Sequence, residues 1–113
     1  MAPKRSEFVD YLLDQLQPRE SFLAKSMFGG WGLYRHGRMF AIVADDALYL
    51  KVDGQTRPDF EALGLEPFTY QRKGKPFAMS YYQAPAEALD DPETLNEWVT
   101  VACGAADRAA QSK

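Results

Sequence analysis

The segment from Ser26 to Phe40 places three glycines, Gly29, Gly30 and Gly32, among aromatic residues and ahead of a basic turn. Backbone N–H groups in a glycine loop can cradle a phosphate, but a P-loop needs Gly-Lys-Ser/Thr leading into a helix. Here the glycines lead into Leu33-Tyr34, where the pattern indicates a strand. Glycine within a strand is typical of a bulge or of a close approach by another part of the chain. We therefore predict that these glycines serve packing.

Side chains for nucleophilic or metal chemistry are scarce. His36 is the only histidine and lies in a polar turn, and Cys103 is the only cysteine and lies among alanines. A nucleophile needs a nearby general base, and a metal site needs several clustered ligands. The pairs Asp45-Asp46 and Asp90-Asp91 are explained by turn formation and helix capping. The sequence therefore predicts a protein that is not an enzyme and that has no cofactor and no metal site.

Two groups of basic residues lie in predicted hairpin turns, and we call them the basic tips. If both lie at one end of the sheet, they form a cationic patch that could contact a phosphate backbone or an acidic protein. Charged tips also keep exposed hairpins soluble, and both interpretations stay open at this point. The basic tips are Arg35, His36 and Arg38 in one turn, and Arg72, Lys73 and Lys75 in the other.

The predicted strands carry large apolar side chains on both faces of the sheet. If helices cover one face, the aromatic residues of the other face stay exposed, and such a patch commonly marks an interface. We expect this surface to contact a protein partner or a second copy, as in a homodimer. The candidate interaction surface consists of Phe28, Tyr34, Tyr49, Tyr81 and Tyr82.

The composition fits one soluble globular domain spanning residues 1–113, with 46 % hydrophobic and 26 % charged residues. The net charge of −3 argues against a free-standing DNA-binding domain, because phosphate contacts require a basic footprint. No signal peptide and no apolar run of about 20 residues are present, so we expect no membrane span. With a single cysteine, the simplest expectation is a cytoplasmic protein.

Hydrophobic periodicity predicts an α+β fold of two layers, with the element order α-βββ-α-ββ-α. A five-stranded antiparallel sheet carries helices on one side. The first strand begins near Lys25. In it, Met27, Trp31 and Leu33 alternate with Phe28 and Tyr34. The other predicted elements are a first helix over 6–17, strands over 39–44 and 47–52, a short helix after Thr56, a hairpin over 68–82, and a last helix from about Asp91.

Several blocks of the chain, in order and with matching spacing, resemble the TfoX N-terminal domain family. The blocks are Met27–Tyr34, Phe40–Asp45, Leu48–Asp53, Pro67–Tyr70 and Met79–Tyr82, followed by Trp98. The resemblance implies a two-layer α+β fold like that of type III secretion chaperones, and it offers no catalytic residues. Full-length relatives regulate competence genes for DNA uptake, are thought to assist the cAMP receptor protein, and carry a second, helical domain.

We therefore expect a non-enzymatic regulatory or adaptor domain of the competence-regulator kind that acts through protein–protein contacts. One alternative is a weak nucleic-acid-binding transcription regulator that uses the basic tips. A third alternative is a small-molecule-binding enzyme with a pocket beside Gly29–Gly32.

Overall fold

The computed structural model describes residues 7–27, 30–72 and 74–111, without the side chains of 70–72 and 75–78. Helices and strands follow one another as an α+β arrangement, with a short 3-10 turn at Arg19–Ser21. The elements are α1 (Glu7–Gln15), β1 (Phe22–Met27), β2 (Gly30–Arg35), β3 (Arg38–Ala44), β4 (Ala47–Lys51), α2 (Arg57–Ala62), β5 (Pro67–Arg72), β6 (Lys75–Gln83), α3 (Ala86–Asp90) and α4 (Pro92–Gln111).

Within these residues the strands form one antiparallel sheet of six strands in the order β1-β2-β3-β4-β6-β5. The expected α+β class, with helices on one side of an antiparallel sheet, is confirmed, and the expected five strands are a small error. The predicted first strand is two strands, β1 and β2, which pair antiparallel with Met27 opposite Gly30.

The two turns that join β2, β3 and β4 use backbone conformations suited to tight hairpins. His36 and Gly37 have φ values of 53° and 78°, and Asp45 and Asp46 have φ values of 51° and 57°. Two consecutive residues with positive φ match the twist of the flanking strands, as in type I′ turns. The predicted meander through these strands is therefore confirmed.

The helices α1, α2 and α4 lie against the same side of the sheet, and α4 crosses the central strands β3 and β4. Its predicted apolar stripe is confirmed: Leu95, Val99 and Ala102 are buried in the core, and Trp98 packs against it. Asp91 precedes the helix, and its carboxylate accepts a hydrogen bond from the Thr94 backbone N–H at 3.0 Å. This capping satisfies a donor that the first helical turn leaves unpaired.

A bulge between β2 and β3 lets two consecutive residues of β3 enter the core. The pairing shifts between Leu33, opposite Ala41, and Tyr34, opposite Met39, which leaves Phe40 as the extra residue. Phe40 and Ala41 are both fully buried, and the Phe40 ring meets the Phe22 ring edge-on at 5.6 Å. The bulge therefore anchors the β1–β2 hairpin to the covered side of the sheet.

The chain after β4 is fastened to α4 through Asp53. One carboxylate oxygen of Asp53 accepts a hydrogen bond from Arg108 Nε at 2.5 Å. The other oxygen accepts hydrogen bonds from the backbone N–H groups of Gln55 and Thr56, at 3.0 and 3.1 Å. The Arg108 guanidinium and these N–H groups lower the pKa of Asp53 to about 2, because they stabilise the ionised carboxylate.

The prediction that the glycines serve packing is supported at Gly30 and Gly32, and Gly29 lies outside the described residues. A Cβ atom on Gly30 would overlap the backbone carbonyl oxygen of Val43 in the neighbouring strand. A Cβ atom on Gly32 would press on the sulfur atoms of Met39 and Met27. The glycines therefore allow a strand and two side chains to approach β2 closely.

Replacing Gly30 by alanine should lower the free energy of unfolding by about 1–3 kcal/mol, because the neighbouring backbone must shift. Gly54 is the matched control, since its position is open and its φ is not positive. Gly54→Ala should change stability by no more than about 0.5 kcal/mol. Urea denaturation of both variants measures the difference, and equal effects would contradict the packing role.

Stability should depend on pH through Asp53. Because its folded pKa of about 2 lies below the ordinary 3.8, ionised Asp53 stabilises the fold above about pH 4. This contribution falls as the pH drops from about 4 towards 2. The stability gap between the wild type and Asp53→Asn should therefore shrink over that range in urea denaturation. Arg108→Gln removes the main donor to Asp53, so in that background the Asp53→Asn substitution should change the stability less. A stability difference between wild type and Asp53→Asn that stays constant down to pH 2.5 contradicts the assignment.

Candidate functional site

Opposite the helices, the sheet presents a surface that we call the helix-free face. Cross-strand pairing places Leu23 opposite Tyr34, Tyr34 opposite Met39, and Lys51 opposite Tyr81. Ile42 pairs with Tyr49, whose ring meets Phe68 edge-on at 5.0 Å. The helix-free face comprises Leu23, Lys25, Met27, Tyr34, Met39, Ile42, Tyr49, Lys51, Phe68 and Tyr81.

The helix-free face is largely apolar, and the side chains at its centre are buried by their neighbours on the same face. Ile42 and Tyr81 are only 3 % and 6 % exposed, although no described helix covers them. The surrounding residues Tyr34, Met39 and Tyr49 are half-buried. Leu23, on the edge strand β1, is 47 % exposed, which is unusual for a large aliphatic side chain. The face is therefore largely apolar, with an exposed large aliphatic side chain at the sheet edge.

Two lysines of the helix-free face lie over aromatic rings. Lys25 Nζ lies 5.0 Å from the centre of the Tyr34 ring, and Lys51 Nζ lies 5.2 Å from the centre of the Tyr81 ring. Both distances fall within the range of a cation–π interaction. Lys51 also donates a hydrogen bond to Ser80 Oγ at 2.7 Å, and burial lowers the pKa of Lys51. The positive charges are thereby held against the apolar surface.

Tyr81 and Tyr82 lie on opposite faces, so the predicted placement of Tyr82 on the exposed aromatic surface is corrected. Tyr82 pairs with Leu50, is 8 % exposed, and packs 6.1 Å from the Phe60 ring in the core. Its hydroxyl donates to Glu61 Oε2 at 2.8 Å, which raises the pKa of Tyr82. Burial raises the pKa of Tyr81 to about 12. Neighbouring residues of a strand point to opposite faces, and that rule alone separates the two tyrosines.

The structure brings together only part of the predicted interaction surface. Tyr34, Tyr49 and Tyr81 share the helix-free face, and Phe28 lies outside the described residues. The sequence prediction missed Leu23, Lys25, Met27, Met39 and Lys51. The signal was present in β1, where the apolar residues Leu23 and Met27 alternate with Phe22, but β1 was not separated from β2.

The strand ends that border the two basic tips lie at the same end of the sheet, because β2 and β5 run in the same direction in the antiparallel order. Asp107 of α4 binds both described arginines, Arg38 at 3.0 Å and Arg35 at 3.4 Å. His36 is exposed in the turn. Lys73 and the side chains of Arg72 and Lys75 lie outside the described residues. One tip therefore has its charge partly neutralised by a carboxylate.

Cys103 is the one cysteine of the chain, and its environment sets its reactivity. Cys103 is buried in α4, and burial raises the pKa of its thiol to about 11. A thiol with such a pKa is a poor nucleophile near neutral pH. Among the described residues, no group of three His, Cys, Asp or Glu side chains is placed to hold a metal ion. None of the described helices combines the length and apolarity that a membrane span needs.

Comparison with known proteins identifies the family of this chain. The model of the TfoX N-terminal domain family matches residues 14–106. The chain belongs to the TfoX N-terminal domain family. The resemblance seen in the sequence blocks is therefore confirmed. The match runs from the end of α1 through all six strands, α2 and α3 into α4.

Two curated relatives carry names that refer to DNA transformation. The chain is 39 % identical over 79 residues to "DNA transformation protein TfoX" of Haemophilus influenzae, a match covering 69 % of the chain and 36 % of the relative. It is 38 % identical over 74 residues to "DNA transformation protein TfoX1" of Aliivibrio fischeri, covering 66 % and 35 %. The match spans about a third of the length of each relative.

The assignment of the two tyrosines to opposite faces can be tested by truncation. Tyr82→Ala should lower the free energy of unfolding by about 3–5 kcal/mol, because it leaves a core cavity and removes the partner of Glu61. Tyr49→Ala on the helix-free face should cost about 1–2 kcal/mol, mainly through its contact with Phe68. Urea denaturation compares them, and a larger cost for Tyr49→Ala would reverse the assignment.

Proposed function

We propose that this domain is a non-enzymatic regulator of DNA transformation that acts by binding another protein through the helix-free face. Membership of the family and the names of the two relatives support the biological role. The observation that carries the mode of action is the apolar helix-free face, with Leu23 exposed at its edge. Water contact with such a surface is unfavourable, and a protein partner removes it.

The absence of an assembled catalytic arrangement in the described residues is consistent with a binding role. The thiol of Cys103 is buried within α4, whereas His36 is exposed at the turn between β2 and β3. Nucleophilic catalysis requires such groups within hydrogen-bond reach of each other. The proposal therefore assigns the domain to recognition.

Direct nucleic-acid binding by the basic tips is the alternative, and the common end of the two hairpins favours it. The ion pairs of Arg35 and Arg38 with Asp107 weigh against it, because they lower the positive charge that a phosphate would meet. DNA binding of this kind would weaken steeply with salt, whereas apolar protein contact would change little. Anisotropy of a labelled duplex at low and near-physiological salt distinguishes the two.

Leu23→Ser should impair function and leave the fold intact, because the side chain is 47 % exposed and lies on the helix-free face. We expect transformation frequency to fall at least about tenfold, which corresponds to the loss of one contributing interface residue. The measurement uses the source organism with its own gene deleted and the variant gene supplied in its place.

Leu63→Ser is the matched control, since Leu63 is 54 % exposed but follows α2, away from the helix-free face. It should leave transformation frequency unchanged. The proposal fails if both variants behave like the wild type, or if Leu63→Ser is the more harmful of the two. Thermal denaturation of both purified variants excludes unfolding as the cause of any loss.

A further inference from the structure

The charges of the sheet are all of one sign. The six strands, within their described bounds, contain no Asp and no Glu, so the carboxylates of the chain lie in helices, turns and connections. Basic residues, in contrast, occur in all six strands, one in each. They are Lys25, Arg35, Arg38, Lys51, Arg72 and Lys75. The chain has a net charge of −3, yet its sheet layer is positive and its helical layer and connections are negative.

On the helix-free face this positive charge is carried by Lys25 and Lys51. Arg35 and Arg38 turn to the other side, where Asp107 of α4 binds both. Lys25 and Lys51 have no carboxylate among the described strand residues around them, and each rests on a tyrosine ring. Asp53, just beyond β4, attracts Lys51 electrostatically, but its carboxylate is bound by Arg108 and by two backbone N–H groups. A partner that covers this face removes water from both ammonium groups, and only an opposite charge offsets that loss.

We propose that the helix-free face binds an acidic amphipathic helix of a partner protein, with carboxylates placed at both ends of an apolar stripe. This inference rests on the proposed function and specifies the chemistry of the partner. A helix is the expected form because the opposite face of the same sheet is already covered by helices, and a second helical layer would bury the apolar residues in the same way.

The register of the sheet sets the spacing of the partner's carboxylates. Lys25 lies in one cross-strand row with Gly32, Ile42 and Tyr49, and Lys51 lies two residues beyond Tyr49 on β4. Three strand spacings and two residue rises place the Cα atoms of the two lysines about 16 Å apart. This distance equals about eleven residues of α-helix, or three turns, so both carboxylates can lie on the same side of the helix.

A second copy of this chain fits the face poorly. A two-fold dimer brings the same patch of both protomers together. It would place Lys25 and Lys51 from each protomer in one interface with no carboxylate from any described strand. Like charges in a desolvated interface oppose association. The charge pattern therefore favours a different, acidic protein.

Single-stranded nucleic acid also fits the face poorly. Base stacking needs exposed aromatic ring planes along a basic groove. Here the lysines occupy the ring planes of Tyr34 and Tyr81, and Tyr49 packs against Phe68 at an interplanar angle of 61°. The described face offers two cations, which is few for a strand of phosphates.

The test uses synthetic amphipathic peptides of about eighteen residues with a leucine stripe. One peptide carries two glutamates about eleven positions apart at the ends of the stripe, and its control carries glutamines there. NMR amide shifts of isotopically labelled protein report the binding site and the affinity. We expect the glutamate peptide to perturb β1 to β4 and to bind about fivefold to tenfold more tightly than the glutamine peptide.

Variants of the protein test whether the two lysines cause the preference for the glutamate peptide. In a protein with Lys25→Gln and Lys51→Gln, the two peptides should bind equally, whereas Arg57→Gln, an exposed change on α2, should preserve the preference for glutamate. The peptide pair tests the charge inference on the wild-type protein as well, so it does not depend on the folding of any variant.

The other outcomes overturn the inference in distinguishable ways. Equal binding of both peptides to the helix-free face contradicts the charge inference and leaves the proposed apolar docking standing. Absence of binding to this face by either peptide contradicts both. Tighter binding of an oligothymidylate than of the glutamate peptide would assign the face to nucleic acid. Dimerisation through this face, seen by sedimentation equilibrium, would assign it to a second copy.

Discussion

The packing of α4 across β3 and β4 is the interaction on which the rest of the structure depends. Its stripe of Leu95, Val99, Ala102 and Ala106 lies in one buried cluster with the inward residues of these strands. Small residues in this stripe let the helix lie close to the sheet, and burial of the apolar surface is the main favourable term. The same helix holds Asp53 through Arg108 and the β2–β3 hairpin through Asp107.

Because helices cover one face of the sheet, the residues of the opposite face form its exposed surface. Because the covering helices all lie on one side, the residues between the inward ones must face away from the core. Gly32 allows Met27, Met39 and Tyr34 to close over β2 on that side, so the surface is apolar but partly packed. With carboxylates confined to helices, turns and connections, this face is left with lysines as its only described charges. An apolar, positively charged surface is therefore a consequence of the two-layer architecture.

Much of the fold could be predicted because its signals are local. The spacing of apolar residues in α4, the cap at Asp91 and the turn at His36-Gly37 each depend on a few neighbouring residues. The division into β1 and β2 could not be predicted in this way. It depends on the pairing of Met27 with Gly30, and the sequence signal for that pairing is ambiguous. That error moved Met27 to the wrong face. Tyr82 was different, since strand alternation alone places it opposite Tyr81.

The central claim, that the helix-free face is the surface used for recognition, is tested most directly by oxidative footprinting with mass spectrometry. Purified protein is compared with protein labelled inside the source organism under conditions that induce transformation. The account predicts that Met27, Met39 and Leu23 are oxidised in the purified protein and protected in the cell, while Val101 on α4, exposed in the structure, stays reactive in both. Protection of Val101 with continued oxidation of the methionines would contradict it.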